Sequence, residues 1–242
     1  MPIVLHHLNN SRSQRILWLL EELGVPYEIT NYQRLPNQQA PPELIKVHPL
    51  GKSPVITDGD VTIAESGAII GTRPPDPLQM NLYGCSFSIC TEYLIKKYGD
   101  GKFSPDTEIG RVNDLYFLHY AEGSVMPPLV NKLIFSMAPN EAPWFIRPLV
   151  RMIMNRMSTG FIEPEIQKHA DLVESHLSKN DWFAGGSGPT AADFSMAMVI
   201  EVFVMLGYAG PGIKAHVEKV KARPAWQSAM DKGGEYMYAS KL

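Results

Sequence analysis

The chain has 242 residues, enough for one large domain or two small ones and for a substantial buried core. Its 22 basic and 25 acidic residues leave a net charge of −3, which offers no electrostatic footprint to a phosphate backbone, so nucleic acid is excluded as an expected partner. Two cysteines, Cys85 and Cys90, are too few for a secreted disulfide framework and lack zinc-ligand spacing, so no metal is expected and a reducing, cytoplasmic compartment fits best.

From the start of the chain, strand and helix patterns alternate. A strand is expected over residues 3–7, with no charged and apolar leader before it, and a helix over 12–23 ended by Gly24. A strand over 27–31, a helical segment near 42–47 and strands over 54–57 and 61–64 follow. Asp58-Gly59-Asp60 joins the last two strands, and Asp-Gly is a hairpin signal, so these strands should be antiparallel. A βαβ unit followed by a hairpin and a helix is the thioredoxin-like arrangement. Gly99-Asp100-Gly101-Lys102-Phe103-Ser104-Pro105 reads as a linker. After it apolar residues recur at three- and four-residue spacing, as in Val112, Leu115, Tyr116, His119 and Tyr120, or Ile166, Ala170, Val173 and Leu177. The expected fold class is therefore α/β plus all-α: a sheet domain over residues 1–98 and an all-helical domain over 106–242.

Within the helical part, Pro127-Pro128, Pro139, Pro143, Pro148 and Pro164 divide one helix from the next. Trp144 to Met157 mixes aromatic, aliphatic and methionine residues with Arg147, Arg151 and Arg156, and is read as a core helix, with a membrane-surface helix or a pocket wall as alternatives. Thr190-Ala191-Ala192-Asp193 is a capping box before the most apolar helix. The apolar run Met196 to Leu206 is broken by Glu201 and falls well short of the ~20 residues of a transmembrane helix, so no membrane span is expected. His6 and His7 sit on a strand without metal spacing and are read as structural.

Two stretches of the first third carry chemistry. Gly51-Lys52-Ser53-Pro54-Val55-Ile56 and Ala64-Glu65-Ser66-Gly67 together suit a short peptide. Ser53-Pro54 supplies an X-Pro bond open to the cis form, Val55 a strand edge with backbone groups to offer, and Glu65-Ser66 a helix start where a carboxylate docks. Asn9-Asn10-Ser11-Arg12-Ser13, between the first strand and the first helix, gathers hydroxyls and helix N–H donors where a thiol would need them. A free thiol has a pKa of about 8.5, and lowering it by two units takes roughly 2.7 kcal/mol. A helix end contributes about 0.3–1 kcal/mol and a charge-assisted hydrogen bond about 1.5–3, which together span that need. Ser11 is the candidate hydroxyl donor, with Asn10 and Ser13 as neighbours able to take the role and plain N-capping by Asn10 or Ser11 as the bland alternative.

These motifs resemble the glutathione S-transferases, and most closely a fungal and bacterial branch with an Asn-Ser-Arg loop. The likeness runs through Leu8-Asn9-Asn10-Ser11-Arg12-Ser13, Leu17-Trp18-Leu19-Leu20-Glu21-Glu22-Leu23-Gly24, Pro41-Pro42-Glu43-Leu44 and His48-Pro49-Leu50-Gly51, and through Trp182-Phe183-Ala184-Gly185-Gly186 before the capping box. The resemblance implies glutathione as co-substrate, a homodimer and a small hydrophobic electrophile, with Ser11 stabilising the thiolate. It implies Lys52 on the glycyl carboxylate, the Val55 backbone behind Ser53-Pro54 on the cysteinyl amide, and Glu65 with Ser66 on the γ-glutamyl group. Tyr116, Tyr120 and Met126 are the candidates for the electrophile pocket. A glutathione-dependent peroxidase would share the site, and a non-catalytic ligand- or protein-binding module would share the fold.

One segment departs from the family. Its members run from Glu-Ser-Gly-Ala-Ile-Ile directly into a Glu-Tyr-Leu-Ile helix, whereas residues 71–91 separate Ile70 from Glu92 here, and Pro74, Pro75 and Pro77 would stop a helix. The block is read as a translated intron or gene-model error: Gly71-Thr72 is compatible with a GT donor and Thr91-Glu92 with an AG acceptor. A genuine surface loop is the competing reading.

Overall fold

The computed structural model describes residues 2–37, 39–64, 87–234 and 236. Strand β1 (Ile3–Leu8) turns Ile3 and Leu5 into the core and pairs in parallel with β2 (Tyr27–Tyr32). β3 (Val55–Asp58) runs antiparallel to β1 and to β4 (Val61–Ala64), giving the order β2-β1-β3-β4. Gly59, with φ of +62°, makes the hairpin turn in the left-handed region that glycine enters without a Cβ penalty. A parallel pair needs a crossover, and α1 (Ser13–Leu23) supplies it. Its Ile16, Leu17, Leu19 and Leu20 are wholly buried, and it ends at left-handed Gly24, whose N–H bonds back to Glu21 and Leu20.

Helix α2 (Phe87–Tyr98) follows, and residues 65–86 lie outside the described residues. Most of the block read as an insertion, with Cys85, falls there. Its last residues form the first turn of α2, where Cys90 and Thr91 are buried, so the helix begins ahead of Glu92. The linker turns through Asp100 and Phe103 at positive φ, and Phe103 packs edge-on against Phe194 with ring centroids 5.5 Å apart.

From there every element is helical. α3 (Glu108–Tyr120) is N-capped by Thr107 and runs through a π-turn, Ala121–Val125, into α4 (Met126–Glu141). α5 (Arg147–Met157) runs through a second π-turn, Ser158–Ile162, into α6 (Glu163–Leu177). α7 (Ala191–Leu206), α8 (Pro211–Lys221) and α9 (Pro224–Gly233) are the remaining helices among the described residues. The thioredoxin-like sheet unit followed by a helical unit is the expected fold class.

α7 is the axis of the helical unit, with every residue from Ala191 to Phe203 buried. Its capping box forms: Asp193 accepts from the Thr190 backbone N–H at 2.8 Å, and also from Phe183 N–H at 3.1 Å, which fixes the Trp182-Phe183 turn. Asp193 Oδ1 lies 3.5 Å from His216 Nε2 in the same dry pocket. Burial pushes the carboxyl up to about 7 and the imidazole down to about 4, so each disfavours its charged form. α9 closes on α1: Gln14 donates to the Ala229 carbonyl at 2.8 Å, and Trp18 packs against Phe194 and Trp226 at 4.5 and 5.3 Å.

The core reading of α5 is overturned. No residue of α5 is buried, and Trp144 and Phe145 just before it are 81 % and 67 % exposed. Apolar periodicity reports that one face is apolar, and among the described residues the helix packs chiefly against α4 and the π-turn that follows it. Among the described residues no helix is long and apolar enough to cross a membrane.

Candidate active site

The turn from β1 into α1 brings the motif residues together. Asn10 takes a left-handed φ of +50°, a conformation Asn tolerates better than most residues, and reverses the chain so that Ser11 meets the first turn of α1. Ser11 Oγ accepts from Ser13 N–H at 3.2 Å, a bond across two residues just ahead of α1, while the N-cap position itself is Arg12, which makes no side-chain cap bond. The same oxygen lies 2.7 Å from Ser13 Oγ, which lies 2.8 Å from His7 Nδ1. Ser11 is nearly buried yet borders a cleft of about 370 Å³.

One wall of that cleft is Asn10, Ser11, Arg12, Arg34 and Ser53 from the sheet unit. The other is Glu122, Met126, Pro127, Val130 and Met198 from the helices. The first wall is polar with two cations, and the second is apolar apart from Glu122. Arg34 stands by the turn, where its backbone N–H donates to Asn9 Oδ1 at 2.8 Å and its Nη2 to the Asn10 carbonyl at 3.2 Å.

Glu122 anchors the far wall. Arg12 reaches its Oε2 at 2.6 Å and the wholly buried Arg15 its Oε1 at 2.5 Å, while Arg15 also donates to the Ser195 carbonyl. Burial alone would raise this carboxyl, but the two guanidiniums outweigh it and hold Glu122 below the usual carboxylate range. The ion cluster ties α1 to the π-turn, and with it the Ser11 turn to the apolar wall. π-turns often sit at functional sites because the extra residue re-aims the side chains that follow.

Ser53 is buried, donates to the His6 carbonyl at 2.9 Å and precedes a cis bond to Pro54. Val55 stands at the head of an inner strand, paired with His6 and Ala64, rather than on the edge of the sheet. Lys52 is exposed beside it. Glu65 and Ser66 lie outside the described residues.

Two electrophile-pocket candidates sit elsewhere. Tyr120 bonds through its hydroxyl to His169 Nδ1 on α6, and Tyr116 stacks on it at 5.1 Å, so neither borders the cleft. Met126 does, with Pro127 and Val130. Both tyrosines lie on α3, whereas Met126 opens α4 beyond the π-turn. Arg12, Arg34, Glu122 and Met198 are site residues for which the sequence gives no local signal, save that Arg12 lies inside the turn motif.

Residues 2–71 match the family model described as the glutathione S-transferase N-terminal domain. Glutathione S-transferase 3 of Schizosaccharomyces pombe is 36% identical over 237 residues, 95% of this chain and 87% of its own. Glutathione S-transferase 1 of Saccharomyces cerevisiae is 31% identical over 222 residues, 87% and 85% of the two chains. Among solved structures, a glutathione S-transferase from Actinobacillus pleuropneumoniae superposes with a TM-score of 0.69 and 26% identity, over 99% of this chain and 96% of that one. A glutathione transferase homolog from Lodderomyces elongisporus, solved with two GSH per subunit, shares the fold with a TM-score of 0.68 at 19% identity, over 96% and 99%.

Proposed function

The chain belongs to the glutathione S-transferase family, and on that premise we propose that it is an enzyme of the Asn-Ser-Arg branch that conjugates glutathione to small hydrophobic electrophiles in the cytoplasm, as a homodimer. The observation that carries this reading is the position of Ser11: a hydroxyl at the start of α1, on a cleft whose opposite wall is Met126, Pro127, Val130 and Met198. The tripeptide lies along the sheet side, with Lys52 on its glycyl carboxylate and Glu65 with Ser66 on its γ-glutamyl end. Its sulfur then reaches Ser11, where the hydroxyl and the positive end of α1 favour the anion. The thiolate attacks an electrophile seated on the methionine wall, whose pliable side chains suit acceptors of varied shape. Arg34 adds a cation on the peptide side of the cleft.

Ser11→Ala removes the charge-assisted bond to sulfur, and conjugation of a chloronitrobenzene should fall roughly 10- to 100-fold at neutral pH. Rates equal to wild type would take Ser11 out of its role. Residues 71–91 are, in the same reading, translated intron or gene-model error. The family match ends at residue 71, where that block begins. A mature transcript that retains the block overturns this.

A further inference from the structure

The hydrogen bonds behind Ser11 can run in one direction only. The Gly233 carbonyl, at the C-terminal end of α9, can only accept, so His7 Nε2 at 2.9 Å carries a hydrogen. That carbonyl is held in place, because Gln14 packs so closely that a Cβ at Gly233 would collide with its amide. His7 is buried, and removal from water lowers its pKa more than the Gly233 bond raises it, so the ring is neutral and Nδ1 bears a lone pair. Ser13 Oγ, 2.8 Å away, donates to that lone pair.

A hydroxyl has one hydrogen to give. Across the 2.7 Å contact between the serines, Ser11 must therefore be the donor and Ser13 the acceptor. The Leu8 N–H, 3.3 Å from Ser13 Oγ, fills the remaining acceptor side. The Leu8 carbonyl, also at 3.3 Å, is the other place for the Ser13 hydrogen, and using it leaves the direction at Ser11 unchanged. Ser11 Oγ already accepts from Ser13 N–H, so one lone pair is left for the cleft. The hydroxyl assigned as donor to sulfur keeps its hydrogen turned away from it.

We propose that Ser13, oriented by His7 and the Gly233 carbonyl, is a positioning residue that holds the Ser11 hydrogen inward, so that Ser11 first meets glutathione as an acceptor for S–H. The thiol proton leaves to cleft water. Ser11 then turns, breaking its bond to Ser13 and donating to the sulfur anion, while Ser13 keeps its bond to His7. Thiolate and Ser13 thus compete for one hydrogen, and the competition holds the thiol pKa higher than Ser11 alone would set it. The inference rests on the proposed role of Ser11.

Ser13→Ala removes the competitor and keeps the residue-13 backbone N–H on Ser11. The pKa of glutathione bound to the full-length protein, read from thiolate ultraviolet absorbance against pH, should fall by about half a unit to one unit, a roughly 3- to 10-fold larger thiolate fraction below the pKa. Arg12, Arg34 and Glu122 on the cleft, and Lys232 beyond His7 with its partner Glu21, are the same in both proteins, so the difference isolates the hydrogen. Ser11→Ala is the control and should raise the pKa. A raised value in Ser11→Ala with an unchanged or raised value in Ser13→Ala overturns this inference and leaves the Ser11 role standing; no change in Ser11→Ala overturns both. Nitrogen-15 NMR of His7 in the wild type checks the premise without a variant: the Nε2–H tautomer at neutral pH is expected, and the Nδ1–H tautomer or an imidazolium overturns it.

Discussion

Helices α1 and α5 are both 11 residues long and both repeat apolar residues every three or four positions, yet they end in opposite states. In α1 every residue but Glu21 and Glu22 is buried, Arg15 included; in α5 none is. The difference lies in what stands opposite. α1 is enclosed by β1, α2, α7 and α9, whereas α5 meets α4 and a π-turn and then water. A periodic stripe says that a helix has a face to cover, and only the rest of the chain says whether it is covered. Enclosure also fixes the turn ahead of α1, because the wholly buried Arg15 is bonded to Glu122 on the far wall of the cleft.

The sharpest separation of the two helices comes from their neighbouring tryptophans. Trp18 is wholly buried between Phe194 and Trp226, and Trp18→Ala should cost about 3–5 kcal/mol, read as a lower urea midpoint at unchanged slope. A cost under 1 kcal/mol would mean that α1 is not the enclosed element described here.

A smaller effect tests the far side of the same enclosure, where α7 buries Glu201 with its carboxylate accepting from the Tyr236 hydroxyl at 2.7 Å. Burial pushes this carboxyl up to about 7. The folded chain keeps the proton up to that pH, while the unfolded chain releases it near 4.5, the ordinary value. Folding therefore takes up a proton between those values, so the contribution is complete below about 4.5 and is lost as the pH rises through 7. Carboxylates held low, such as Glu122 and Asp58, pull the other way at acid pH, so the readout is the stability of wild type minus that of Glu201→Gln. That difference should fall by about 2–3 kcal/mol from pH 5 to pH 8. A flat difference would show that Glu201 ionises in place without cost.

Local features of the fold are legible in the sequence because local chemistry decides them. Gly24 and Gly59 need left-handed backbone, Thr190 and Asp193 need each other, and the alternation in β1 needs a sheet. Ser11 and Ser53 are legible for the same reason, as parts of short motifs that hold their own geometry. What comes from afar is not. Glu122 and Met198 reach the cleft from the π-turn and from α7, and a π-turn has no sequence period by which to foresee it; of the three electrophile-pocket candidates only Met126, just past that turn, borders the cleft. His7 reads as a structural histidine because its partners, Ser13 and the Gly233 carbonyl, meet only when α9 docks on α1.

The smallest expected effect is the one that defines the contrast. Leu149 and Met152 on α5 are 53 % and 62 % exposed, so most of their apolar surface is already in water and little transfer free energy is at stake. Leu149→Ser with Met152→Ser should change stability by no more than about 0.5 kcal/mol in a dilute thermal melt, at the scale of ordinary surface substitutions. α5 lies against α4 through other positions, Val150 and Met154 being only partly exposed, so the helix itself should persist in circular dichroism. A loss above 2 kcal/mol would mean that this face is covered in solution. Apolar period would then have reported burial correctly in both helices, and the difference between α1 and α5 would be one of partner rather than of enclosure.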